Sequence, residues 1–157
     1  MSSSVERVER ALEQAGLVPR VRALAQSTRT AQEAATALGV VVDQIAKSII
    51  LEASDSQHLL LFITAGGNRV DLAKAAALVG GAVRQAKPEA IRQRTGFAIG
   101  GVAPVGHLEP LPTWMDQTLL SFACVWAAGG TPNHLFEIAP DRLAQIANAT
   151  TADFAER

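Results

Sequence analysis

Ser48-Ile49-Ile50-Leu51-Glu52, a turn at Ser54-Asp55-Ser56, and then His58-Leu59-Leu60-Leu61-Phe62-Ile63-Thr64 form the stretch that decides the fold. Both runs are short and rich in Ile, Leu and Phe, and a cluster of turn formers separates them, which predicts an antiparallel hairpin. Neither strand alternates apolar with polar. Both therefore belong in the middle of a sheet that is covered on its two faces.

Working upstream, a short extended piece over Arg20 to Leu24 precedes a capping-box pattern, Thr30 with Glu33, and an alanine-rich helix that stops at Leu38-Gly39. Ser3 with Glu6 repeats the pattern ahead of Val5, Val8, Leu12 and Ala15, so the chain opens with an amphipathic helix that runs to Gly16. Downstream, Gly66-Gly67-Asn68 turns the chain, and Asp71 caps a helix through Val79. Gly80-Gly81 ends that helix before a strand near Ala82 to Gln85, and Pro88 starts another helix that Gly96 closes. Leu119 to Ala127 reads as a buried strand and His134 to Ile138 as its partner across Gly129-Gly130-Thr131-Pro132-Asn133. Pro140-Asp141 begins a last helix. Hairpins mixed with helices predict an α+β fold whose central sheet is mostly antiparallel and barrel-like, with helices around it.

The 157 residues are enough for a core without disulfides or structural metal, and they are expected to form one domain, 1–157. Every apolar run is too short to span a bilayer, so a soluble protein without membrane association is expected. The start lacks the basic and apolar regions of a secretory signal, and the lone Cys124 can form no internal disulfide, which predicts a cytoplasmic protein. A net charge of −1 argues against broad coating of nucleic acid. Arg69, Lys74, Arg84, Lys87, Arg92 and Arg94 offer a modest basic patch, for which a solvated surface is the commoner explanation.

Two features carry candidate chemistry. Lys47, between Ile45-Ala46 and Ser48-Ile49-Ile50, places an ammonium at the mouth of an apolar strand, suited to a phosphate or a developing oxyanion. The loop from Gly96 through Ile99, Gly100, Gly101 and Pro104 to Gly106-His107 is tightly turned, and its backbone N–H groups can approach a ligand closely. It is neither a Walker loop nor a dinucleotide fingerprint, since the following Gly-Lys-Ser/Thr and the glycine spacing are both missing. His58, His107 and His134 have no zinc-ligand spacing, so no metal site is expected, but His107 and His134 could share a pocket. Cys124 reads as a small buried side chain, and no Gly-x-Ser-x-Gly elbow is present.

Gln44-Ile45-Ala46-Lys47-Ser48, the Gly-Gly-x-x-Pro-x-Gly of Gly100 to Gly106, and Ala128-Gly129-Gly130 ahead of a short strand and Pro140 occur in this order. Together they resemble the YbaK/ProX family, free-standing relatives of the editing domain inserted in bacterial prolyl-tRNA synthetases. The resemblance implies a compact mixed α/β domain that hydrolyses the ester of a mischarged tRNA in trans, without a cofactor. By this likeness Lys47 is the essential lysine, Gly100 and Gly101 face the scissile carbonyl, and His134 is a further catalytic candidate. Ser48, Ile99, Pro104, His107 and Asn133 are the accompanying substrate contacts. The implied partners are the acceptor end of tRNA for proline carrying alanine or another small residue, and prolyl-tRNA synthetase. Ser48 stands where some alanine-specific relatives carry asparagine, which leaves the released amino acid open. A noncatalytic module that binds aminoacyl-tRNA or a synthetase is the alternative.

Overall fold

The computed structural model describes residues 3–157. Helix α1 (Ser3–Gln14) buries Val5, Val8 and Leu12. It begins at the residue expected to cap it, so its cap falls outside the described residues. Strand β1 (Arg22–Ala23) leads to α2 (Ala31–Leu38), where the Thr30/Glu33 capping box forms and Gly39 ends the helix in the left-handed region. A 3-10 turn (Val42–Gln44) then feeds β2 (Ile45–Ala53) and β3 (Leu59–Ala65). These two strands pair antiparallel from Ala46↔Ala65 to Glu52↔Leu59, as the hairpin reading requires. Helix α3 (Leu72–Val79), strand β4 (Val83–Gln85) and helix α4 (Pro88–Thr95) follow in the expected order.

Every residue of β3 is buried because both faces of the hairpin are covered. Leu60 and Phe62 face Ala75 of α3 and Phe154, with the Trp114 ring stacked on Phe62 at 5.1 Å and Phe154 edge-on at 5.0 Å. Leu59, Leu61, Ile63 and Ala65 face Val8 and Leu12 of α1 on the other side. Each such large apolar side chain contributes roughly 1.5–3 kcal/mol on burial, so β3 alone is a principal source of stability. Helix α2 covers the far end of the first face through Ala34 and Ala35, which meet Ile45, Trp126 and Leu135.

The second half differs from expectation in one segment and adds two strands. Leu119 to Ala127 does not form one strand. A 3-10 helix (Gln117–Ser121) takes its first part, because the Asp116 carboxylate caps the Thr118 N–H at 2.9 Å and tightens the chain there. Strand β5 (Thr113–Asp116) precedes it, β6 (Val125–Ala128) and β7 (His134–Ile138) follow, and α5 (Pro140–Ile146) leads to β8 (Thr150–Ala152). β5 and β8 join the sheet in parallel, β5 beside β3 and β8 beside β5. Three- and four-residue strands without a hairpin turn leave no period in the sequence to read.

The sheet runs β1-β7-β6-β2-β3-β5-β8, with β4 attached to β2. It is mixed, with parallel junctions at β6/β2, β3/β5 and β5/β8, and antiparallel pairing elsewhere. No pairing joins β1 to β8 among the described residues. No helix of the described chain is long and apolar enough to cross a membrane.

Candidate active site

One consequence of this topology is a gap in the sheet. β6 pairs with β2 only at Ile45 and Ala46, and β4 only at Leu51 to Ala53. Along that edge Lys47–Ile50 have no strand partner among the described residues, and an unpaired strand edge presents main-chain donors and acceptors. A cleft of about 560 Å³ opens here, lined by Lys47, Ser48 and Ile49, by Ile99, Gly100 and Val102 of the glycine loop, and by the start of α2. The two motifs singled out in the sequence therefore face each other across one cavity.

Lys47 is half-buried, and its Nζ donates to the Gly66 carbonyl at 3.2 Å. An ammonium has three N–H donors, so two remain for a ligand. Burial holds its pKa below the ordinary lysine value, and the Arg69 guanidinium pushes the same way against Asp43 and Asp116. The Gly66–Gly67 turn reaches Lys47 because neither residue has room for a side chain. A Cβ on Gly66 would lie 2.2 Å from the Val42 carbonyl, and one on Gly67 2.5 Å from Asp43 Oδ1. Gly67 N–H donates to that Asp43 oxygen at 2.7 Å, which ties the turn to the 3-10 segment before β2.

Behind the turn lies Asp116, almost fully buried. Its Oδ2 accepts from Ala65 N–H at 3.1 Å and from Asn68 Nδ2 at 2.9 Å, while Oδ1 takes the Thr118 N–H. Three N–H donors satisfy the carboxylate and fix the turn that holds the lysine. Asp116 was missed in the sequence. It lies at the end of a strand too short to recognise, and its partners are distant in the chain.

The glycine loop is positioned by a second turn. Gly101 is buried, and a Cβ there would lie 2.8 Å from the backbone of Thr131. The same Gly129–Asn133 turn holds the segment before α2: Thr28 N–H and Oγ1 both donate to the Pro132 carbonyl, at 2.6 and 2.8 Å, and Asn133 Nδ2 donates to the Leu24 carbonyl at 3.1 Å. Asn133 is thus a clamp between segments. Arg29 follows directly, and its Cγ occupies the space beside Gly100, 2.6 Å from where a Cβ would be. Gly100 has φ +90°, a conformation that favours glycine. Arg29 lines the cleft without a carboxylate partner among the described residues.

Lys47, Ser48, Ile99 and Gly100 converge on the cleft, and the other candidates lie elsewhere. The Gly101 N–H donates to the Ala98 carbonyl at 3.0 Å, so its part is to shape the loop, and the neighbouring Gly100 N–H has no backbone acceptor among the described residues. Pro104 and His107 line a different cavity, next to Ala11 and Ile146. His107 Nε2–H donates to the Ala103 carbonyl at 2.7 Å, and the ring packs edge-on against Phe97. Burial, more than the nearby Arg7, lowers its pKa, opposed by the bond to Ala103. His134 bonds through Nδ1 to Thr131 Oγ1, on the strand face opposite Leu135, which is the β7 residue that lines the cleft. Neither histidine lines the cleft that holds Lys47, and the cavity lined by His107 does not include His134, so the expected pairing of the two is not seen there.

Half of the basic patch is spent on neighbours. Arg84 pairs with Glu52, Arg94 with Glu109 and Lys74 with Asp153. Cys124 Sγ donates to Glu137 at 3.0 Å, and that carboxylate raises the thiol pKa, the reverse of what activates a nucleophile. Among the described residues no His, Cys, Asp and Glu side chains group as metal ligands would. The cleft thus offers a cation, main-chain N–H groups and an apolar floor, a constellation for polarising a carbonyl.

Known proteins share this fold. A solved structure described as a candidate trans-editing enzyme for prolyl-tRNA synthetase superposes with a TM-score of 0.93 and 49% identity, covering 100% of this chain and 99% of its own. YwhH of Bacillus subtilis (strain 168), uncharacterised, is 31% identical over 120 residues, 76% of each chain. EbsC of Enterococcus faecalis (strain ATCC 700802 / V583), described as a candidate Cys-tRNA(Pro)/Cys-tRNA(Cys) deacylase, is 22% identical over 125 residues, 79% of this chain and 76% of its own. Residues 25–146 match the family model of the aminoacyl-tRNA editing domain, a stretch that holds Lys47, both turns and the glycine loop. With every residue that lines the cleft inside that match, the chain belongs to the aminoacyl-tRNA editing domain family.

Proposed function

We propose that this protein is a trans-editing deacylase that hydrolyses the ester of a mischarged tRNA, first of all tRNA for proline carrying alanine or another small amino acid. The observation that carries the reading is Lys47, held half-buried by the Gly66 carbonyl in the same cleft as the Gly100 loop. An aminoacyl ester is already activated, so positioning, charge stabilisation and a water nucleophile suffice. Lys47 and the Gly100 N–H stabilise the oxyanion that forms when water attacks the carbonyl carbon. The ester C–O bond then breaks and releases the amino acid and the ribose hydroxyl. Arg29 stands at the same cleft as a second cation for the phosphates of the acceptor end.

The test is deacylation of tRNA for proline charged with alanine, cysteine, serine or proline, with and without prolyl-tRNA synthetase. Release of a noncognate residue with proline left in place is expected. Tight binding of these tRNAs without release of any residue would contradict the enzyme and identify a binding module.

A further inference from the structure

Arg7 of α1 ties the two ends of the glycine loop to one side chain. Its Nη2 donates to the Gly96 carbonyl at 2.6 Å and its Nε to the Gly106 carbonyl at 3.2 Å. Its guanidinium carbon lies 4.8 Å from the centre of the buried Phe97 ring. No carboxylate pairs with Arg7 among the described residues, so this half-buried charge is given over to the loop. Helix and loop are fitted to each other. A Cβ on Gly106 would lie 3.1 Å from the Arg7 carbonyl carbon and oxygen, and one on Gly96 would run into the guanidinium. The same helix backs the other turn of the site, where a Cβ on Gly130 would lie 2.9 Å from the Ser4 carbonyl. All of α1 precedes residues 25–146, the part matched by the editing-domain model.

The loop's own bonds are local. The Gly101 N–H reaches the Ala98 carbonyl, the Phe97 N–H reaches Thr95 Oγ1, and at the base the Leu108 N–H reaches the Thr95 carbonyl. How the loop sits against the cleft is therefore left to contacts from outside it. A guanidinium presents its N–H groups in a rigid fork, so holding both carbonyls at once sets the distance and angle between the loop's ends, whereas a lysine ammonium is a point charge without that fork. We propose that Arg7 is a positioning residue: by holding the Gly96 and Gly106 carbonyls it fixes the arc between them and so aims the Gly100 N–H at the oxyanion. Arg7 does not line the cleft and touches no substrate there. This rests on the deacylase reading and adds α1 to the scaffold of its site.

The experiment measures kcat and KM on the noncognate ester of tRNA for proline that the intact protein releases, alanyl first, together with amide hydrogen exchange of residues 96–107. Arg7→Met keeps an apolar stem and removes the donors, Arg7→Lys keeps the charge without the fork, and Leu12→Ala opens a cavity under α1 away from the loop. In Arg7→Met kcat should fall by roughly ten- to a hundredfold while KM stays within about threefold, as for lost alignment of the reacting groups. Exchange across 96–107 should quicken, and Arg7→Lys should lie between. Leu12→Ala should lower Tm by several degrees yet hold kcat within about twofold at a temperature where it is folded. An unchanged kcat in Arg7→Met overturns the inference and leaves the deacylase standing, and so does unchanged loop exchange. A kcat in Leu12→Ala as low as that of Arg7→Met also overturns it, by showing that only helix packing matters. If Arg7→Met does not fold, the kcat of Arg7→Lys decides in the same way. Absence of hydrolysis with every ester in the intact protein removes the deacylase reading and this inference with it.

Discussion

Replacing Gly101 with alanine tests whether the glycine loop is built by the turn behind it. A Cβ at this position would sit 2.8 Å from both Cα and C of Thr131 and 3.1 Å from Pro132 N. Carbon atoms pack at about 3.5–4.0 Å, so one of the two backbones must move by more than half an ångström. Neither retreats easily: Pro132 accepts two bonds from Thr28, and Gly101 is tied to Ala98. Overpacking of this kind costs about 1–3 kcal/mol. At this chain length that amounts to a fall in Tm of roughly 5 °C. Because the moved segments carry Gly100 and Arg29, deacylation should fall by roughly tenfold to a hundredfold as the reacting groups lose alignment. Gly100→Ala makes a useful contrast. Its added methyl meets the flexible Arg29 side chain, and its φ of +90° adds strain of roughly 1–2 kcal/mol. Differential scanning fluorimetry and single-turnover hydrolysis read both effects. A Gly101→Ala protein with unchanged Tm and rate would refute the two-turn account of the site.

Asp116→Ala leaves the buried Ala65 N–H without its acceptor and frees the Asn68 and Thr118 contacts, so urea unfolding should show a loss of about 3 kcal/mol. His107 has a folded pKa below its ordinary value of 6.5, so the unfolded chain binds the proton more readily. Its contribution is complete above about pH 6.5 and is lost as pH falls through the lowered folded value. His107→Gln should therefore flatten the acid side of the stability profile measured by chemical denaturation, and an acid limb identical to that of the intact protein would count against this assignment.

The hairpin was legible because β2 and β3 carry uninterrupted apolar runs with a polar turn between them, and α2, α3 and α4 because their caps are local in sequence. Leu119 to Ala127 misled because burial alone does not distinguish a strand from a 3-10 turn. The deciding contact comes from the Asp116 side chain, which has no periodic signature. Lys47 and Gly100 could be singled out from charge and glycine content, and the fold places both at the cleft. His107 and His134 looked equivalent in sequence, yet one is sequestered against Phe97 and Ala103 and the other is turned to Thr131. Arg29 and Asp116 gave no sequence signal, since their roles exist only through partners that are distant along the chain.

The most direct test of the central claim is single-turnover hydrolysis of seryl- and alanyl-tRNA for proline by the intact protein and by Lys47→Ala, with folding of both checked by thermal unfolding. The account predicts that at least one ester is hydrolysed well above its spontaneous rate, and that the folded Lys47→Ala protein is slower by roughly a hundredfold or more, the scale on which one oxyanion-stabilising group acts. Equal rates in the two proteins would contradict the role of Lys47, and spontaneous rates in both would contradict the deacylase itself.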